Sequence, residues 1–373
     1  MHTIANGGLA SLYGLNAFGL VTFGPVMAYV WAALAAIAPG FASATDAADT
    51  GLRMLLKTPA SIADFGLAIV AVYALRDRPR WAVVAAVAII LQPAVWYVSA
   101  WWGQYESIYV LPALAAAVAA SRGRNALAAA LLSVALLTKP QAIAFVVPFA
   151  AWFAASGWRR DRWRGVTVEV VRTAAAGLAT ATVLWIPFLG TGGPVSYLDN
   201  LRYYQDEVFH VLSLRAWNLW WLVQEGIAGG RFVTDDVAVL GPLTPRYLGY
   251  VVTGLISVAV GVAVVRDPRP RTLYLALATS TLVFFAFMTQ MHERYAFGAV
   301  IFLALLAWDT RVRSLVLATS AVVALNLVAA VPPVQGIGLS LPVGEAVSIA
   351  GAFAMVGITV VTIVTLVRNV NTS

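Results

Sequence analysis

Three short stretches of this 373-residue chain carry side chains that do chemistry: Trp101–Trp102–Gly103–Gln104–Tyr105–Glu106, Thr138–Lys139–Pro140–Gln141 and Met291–His292–Glu293–Arg294–Tyr295. Lys139 is one of only two lysines, and it stands between two apolar runs with Pro140 turning the backbone beside it. An ammonium and a guanidinium on one face can hold a phosphate together, Lys139 as a point charge and Arg294 as a planar fork. Lys139 reads equally well as a snorkelling lysine that needs no ligand. A charged residue at membrane depth costs roughly 2.5–3.5 kcal/mol, so His292, Glu293 and Arg294 beside an apolar run need explaining. The plain explanation is an interfacial Arg–Glu pair that caps a helix and fixes its depth. No metal site is expected: adjacent helical residues such as His292 and Glu293 point about 100° apart, and the spacing around His2 and His210 is not that of metal ligands. Phosphate-cradling glycine loops, a GxSxG elbow and HExxH are missing, so neither nucleotide chemistry nor a cofactor is expected.

The elements that must position these residues are membrane helices. Hydrophobic residues make up 61% of the chain and charged residues 11%, against roughly 45–50% and about 25% in soluble domains, which excludes a water-soluble fold. Apolar runs at 60–76, 81–98, 106–120, 125–138, 142–156, 169–187, 246–266, 271–288, 296–309, 312–330 and 346–367 each read as a span, and Ala/Val/Leu-dense stretches such as Ala126 to Leu137 lack the alternation of a β-barrel. The expected fold is all-α, a polytopic helical membrane protein with eleven or twelve transmembrane helices. The twelfth is 17–37, which suits an interfacial helix as well as a spanning one. The chain reads as one membrane domain over 1–373, with an extracytoplasmic juxtamembrane segment over 1–59 and a long extracytoplasmic loop over 188–245. Tyr197 to Leu222 in that loop is expected to lie on the membrane surface.

Basic clusters fall at every second connection: Arg76, Arg78 and Arg80; Arg122 and Arg124; Arg159 to Arg172; Arg266, Arg269 and Arg271; Arg311 and Arg313; then Arg368. Placed in the cytoplasm, these connections hold 16 Lys/Arg against 5 Asp/Glu, leaving 8 against 12 outside, which together make the net charge of +7. The excess therefore belongs to loops and implies no nucleic-acid partner. All three polar stretches fall on the outer, slightly acidic side. The chain has no cysteine, so neither disulfides nor thiolate metal sites contribute.

In their order along the chain these stretches resemble the GT-C superfamily of polytopic glycosyltransferases: Pro93 through Ser107 is close to "P…SAxWGQxDS", and TKPQ at 138–141 and MHERY at 291–295 follow. Similar too are Leu56–Lys57–Thr58–Pro59…Ala63–Asp64 entering a span, Phe23–Gly24–Pro25 where the family has an aromatic–Pro–Pro segment, and Asn218–Leu219–Trp220 in the long loop. The resemblance covers nearly the whole chain from about residue 10. It points to bacterial membrane mannosyl- or glucosyltransferase-like proteins and, more distantly, to the dolichol-linked glucosyltransferases of N-glycan assembly. It implies transfer of a sugar from a polyprenyl-phosphate donor to a lipid-, glycan- or protein-linked acceptor, with inversion, on the extracytoplasmic face of the cell membrane. His292 and Arg294 then contact the donor phosphate, with Lys139 as a third group. Trp102, Gln104, Glu106, Glu293, Tyr295 and Asn218 make up the rest of the substrate site.

The chain departs from the family pattern in its base. The family places an Asp in a first outer loop, after a first span and upstream of the aromatic–Pro–Pro segment, whereas no acidic residue precedes Asp46 here. The expectation is a chain that starts late, with the family base encoded upstream of Met1 and 17–37 as the outer juxtamembrane helix; otherwise Asp46 or Asp49 takes the role. Glu106 stands where bacterial members more often carry Asp. The rival reading is a transporter or flippase of lipid-linked sugars, which is expected to show internal repeats and midplane helix breaks instead of polar groups on one face.

Overall fold

The computed structural model describes residues 2–13, 21–43, 49–231, 233–239, 241–332 and 345–370. These are almost wholly helical, and the one sheet among them is a two-residue parallel pairing of Ser213–Leu214 with Met291–His292. Six helices are long and apolar enough to cross a membrane: Thr50–Ala74, Pro140–Thr191, Pro245–Arg266, Pro270–Phe287, Thr310–Ala330 and Glu345–Arg368. A seventh crossing comes from Pro79–Ile90 and Pro93–Trp102 taken together, bent by 42° where Pro93 interrupts the hydrogen-bond ladder.

Pro140–Thr191 is not one rod, because Asp161 and Arg162 leave helical geometry, Arg162 with φ 42°. The contacts of the helix Asn125–Leu136 give the directions of its two arms. Near the N-terminus of that helix, Asn125 accepts from Trp152 Nε1 (3.3 Å) and donates to Glu169 Oε1 (2.9 Å), while two turns on Ser133 donates to the Gly177 carbonyl (3.0 Å). The arm 146–160 therefore runs antiparallel to Asn125–Leu136 and 163–185 runs parallel to it. Gly157 and Gly165 allow the arms to touch backbone to backbone, since a Cβ on Gly157 would lie 2.5 Å from the Gly165 carbonyl oxygen. The two runs 142–156 and 169–187 are thus separate helices, as their Arg-rich interval suggests.

Other helices among the described residues are too short to cross on length alone. The helices Glu106–Ser121, Asn125–Leu136 and Phe297–Ala304 have 16, 12 and 8 residues. At about 1.5 Å per residue even the longest covers about 24 Å, less than a hydrocarbon core of about 30 Å. That is why length and composition alone give six or seven crossings among the described residues where eleven or twelve are expected.

The connections separate into two ends. Arg78 lies over the Trp308 ring at 3.8 Å, Arg313 over Trp81 at 5.2 Å and Arg122 over Tyr73 at 3.5 Å; Arg271 pairs with Asp309, and Arg159 reaches the Pro268 carbonyl. The basic turns thus gather at one end of the bundle. Pro270–Phe287 is buried on almost every side, which makes it the central helix, and its C-terminus leads into 288–295 at the opposite end.

Candidate functional site

Lys139, Glu106 and Arg294 meet at that opposite end, each delivered by a break in a helix. Lys139 is extended (φ −151°, ψ 133°) between the end of Asn125–Leu136 and a 3₁₀ turn opened by Pro140. Glu106 starts the helix Glu106–Ser121, after a π-helical turn over Tyr97–Trp102 is stopped by Gly103 at φ 84°. A carboxylate in the first helical turn is favoured by the helix dipole. The segment 291–295 leaves Pro270–Phe287 through Gln290, whose left-handed φ of 63° is held by bonds from its side-chain amide to the Gln205 carbonyl (3.0 Å) and Asp235 (2.8 Å). Gly24 completes the frame: its N–H donates to the Thr138 carbonyl (3.3 Å), and a Cβ there would run into the Leu137 carbonyl. Phe23 is thereby brought 5.9 Å from Lys139 Nζ.

Glu106 Oε1 accepts a hydrogen bond from Lys139 and lies 3.2 Å from Arg294 Nε. A terminal nitrogen of Arg294 donates to Glu293 Oε1 at 2.9 Å, and His292 Nδ1 lies 3.7 Å from Glu293 Oε2. Lys139 Nζ sits 5.1 Å from the Tyr295 ring, which is 5.2 Å from the His292 ring, so His292 and Lys139 are no further apart than these two steps together. Burial pushes the Lys139 ammonium down to about 8 in pKa, with Glu106 and Glu293 acting against that. Burial also lowers His292, which favours neutral imidazole. Glu293 is held below its ordinary value: burial opposes its ionisation, but His292 and Arg294 outweigh it. With His292 neutral, two cations face two carboxylates and the cluster carries no net charge.

Lys139, Arg294 and His292 open on a cavity of about 560 Å³. Its other walls include Phe23, Tyr109, Phe145, Phe209, Phe284 and Tyr295, with Gln104, Gln141, Gln205 and Gln290 between them. No carboxylate lines it among the described residues: Glu106 and Glu293 stand behind the cations they pair with. Trp102 also stands behind the wall, 4.9 Å from the Arg294 guanidinium.

Other expected site residues lie elsewhere. Asn218 is fully buried, caps the turn Leu219–Trp221 and donates to the carbonyls of Phe285 (3.1 Å) and Met288 (3.2 Å), so it pins the long loop to the end of the central helix. Asp49 is exposed and caps Thr50–Ala74 by accepting from Leu52 N at 3.0 Å. Asp46 lies outside the described residues. Two groups that the sequence analysis did not place in the site support its frame. Asp64, buried, accepts from Ser99 (3.1 Å) and from Ser107, the neighbour of Glu106. Asp235, wholly buried, holds Arg246 (2.9 Å), Thr289 (2.7 Å) and Gln290. Asp64 had a signal, a lone carboxylate inside an apolar run; Asp235, in a polar loop, had none.

The cations beside this cavity are thus carried at one end of a polytopic helical bundle. Residues 25–332 match the ALG6, ALG8 glycosyltransferase family, and the chain belongs to that family. It is also similar to a probable dolichyl pyrophosphate Man9GlcNAc2 alpha-1,3-glucosyltransferase of Drosophila melanogaster, 26% identical over 195 residues. That match covers 51% of this chain and spans 38% of the relative's length.

Proposed function

We propose that the chain transfers a hexose from a polyprenyl-phosphate donor to a glycan- or lipid-linked acceptor, with inversion, at the extracytoplasmic face of the cell membrane. The observation that carries this reading is the single cavity wall made by Lys139, Arg294 and His292, with its carboxylates set behind it. As the anomeric bond breaks, negative charge grows on the departing phosphate, and cations already fixed in place stabilise it. Arg294 pairs with Glu106 through Nε without a hydrogen bond and donates from one terminal nitrogen to Glu293, which leaves its other terminal nitrogen and the free N–H groups of Lys139 for phosphate oxygens. The four glutamines around the cavity suit the hydroxyls of a neutral sugar, and the aromatic walls suit its apolar faces. The relative's name supports an acceptor carried on a lipid pyrophosphate, with glucose as the sugar transferred. An acceptor base must come within about 3 Å of the hydroxyl. Asp49 is committed to its cap, which leaves Asp46 as the other loop acid proposed for that role.

The test is donor binding and sugar transfer by the purified chain in lipid nanodiscs, offered polyprenyl phosphoglucose and polyprenyl phosphomannose. Lys139→Ala and Arg294→Ala are each expected to weaken donor binding by about tenfold or more, the usual worth of a charge-assisted contact. Unchanged affinity in both variants would sink the assignment.

A further inference from the structure

We propose that Glu106 is a positioning residue for donor binding, whose buried carboxylate ties Lys139 and Arg294 into one cationic pair facing the cavity. This rests on the donor reading above and goes beyond it, since Glu106 itself does not line the cavity. One oxygen of Glu106 serves both cations, and the other is buried with no hydrogen-bond partner among the described residues. The side chain is wholly buried. Structure alone gives little reason for such a group, because a buried ion pair is often matched in stability by apolar residues of the same volume, and an orphan carboxylate oxygen adds a desolvation penalty. A function that needs two like charges side by side does give a reason. Without a shared anion, Lys139 and Arg294 would repel each other, and a buried lysine relieves repulsion by losing its proton.

The groups facing Lys139 are Glu106 and Tyr109 from one helix, Glu293, Arg294 and Tyr295 from the 291–295 segment, with His292 beyond, and the Phe23 ring from the N-terminal segment. Glu106 is the one carboxylate in direct contact with the ammonium among the described residues. Loss of its charge therefore lowers the pH at which Lys139 stops being a cation, whereas loss of a packing group alone would weaken binding equally at every pH.

The probe is polyprenyl phosphoglucose, a phosphodiester that does not titrate near neutrality, with binding to the full chain in nanodiscs measured from about pH 5.5 to 9 by tryptophan fluorescence. Wild-type affinity is expected to fall above about pH 8. In Glu106→Gln the fall should begin at least about one pH unit lower, so the variant binds nearly as well as wild type at low pH and about fivefold or more worse at pH 8. Glu106→Asp keeps the charge and should keep the wild-type pH dependence, with some loss of affinity because the shorter side chain cannot span both cations. A Glu106→Gln curve parallel to wild type, at equal or uniformly reduced affinity, overturns the proposal. If Lys139→Ala binds like wild type, the donor reading falls and this inference with it; if Lys139→Ala weakens binding and Glu106→Gln leaves the pH dependence in place, only the role of Glu106 falls. Thermal midpoints measured on each variant separate unfolding from either result.

Discussion

In the proposed donor site Lys139 is the phosphate ligand, and burial brings its titration near physiological pH, which gives two pH effects of opposite sign. Its pKa is about 8 in the folded chain against 10.5 ordinarily. Between those values the unfolded chain binds more protons than the folded one, so the contribution of this residue to stability rises with pH. Donor binding needs the cation and falls over the same range. Lys139→Arg should remove the fall, because guanidinium stays protonated throughout, at some loss of affinity from its different shape. Calorimetric titration of donor at pH 7 and 9 checks this: about tenfold weaker binding at pH 9 for wild type and little change for the variant. A variant that loses affinity as wild type does would show that another group titrates. Lys139, His292 and Arg294 were legible as candidates because their types are costly beside apolar runs. That Glu106 and Glu293 stand behind them was not legible. Which neighbour faces a cavity depends on backbone turns such as Gly103 and Gln290, whose conformations follow from packing across the bundle.

Elements, too, were legible in proportion to how local their causes are. The long helices follow from unbroken apolar runs, and Thr50–Ala74 begins earlier than its apolar core at 60 because Asp49 caps it and its first turns tolerate one exposed side. The pairing of Ser213–Leu214 with Met291–His292 joins segments 78 positions apart, two residues at a time, and leaves no period in the sequence. Asp235 holds this pairing in place by fixing Thr289 and Gln290 on one side and Arg246 on the other, with Arg246 continuing to Asp206 (2.6 Å). Asp235→Asn leaves a half-buried guanidinium with only its weaker partner. The expected loss is about 3 kcal/mol, the low end for breaking a buried pair because Asp206 remains. It should appear as local opening: faster amide exchange at 211–214 and 289–292, with the helices Pro245–Arg266 and Pro270–Phe287 still protected. Since His292 is in that pairing, donor binding should weaken in parallel. Exchange unchanged at 289–292 would show that packing of the loop, and not Asp235, sets the register.

At the scale of the whole molecule, the charge pattern and the contacts converge on one polarity. The basic turns touch one another at one end, through Arg78 and Trp308, Arg313 and Trp81, Arg159 and Pro268, and the cavity cations sit at the other. No single turn dictates this; it follows from helices that each carry their arginines to the same end. In a bilayer the arginine-rich end should face the cytoplasm, where Lys and Arg are retained during insertion. A lipid-borne donor would then reach the cavity from the outer leaflet without crossing the arginine-rich end. The chain has no cysteine, so single cysteines report sidedness without background. Exposed sites such as Asp161→Cys and Arg269→Cys should resist a membrane-impermeant maleimide in intact cells and react after permeabilisation. Asp199→Cys and Glu207→Cys, in the loop beside the cavity, should react at once. Labelling of both sets from the outside, or of the arginine turns alone, would invert or abolish the polarity and take the extracytoplasmic assignment of the cavity with it.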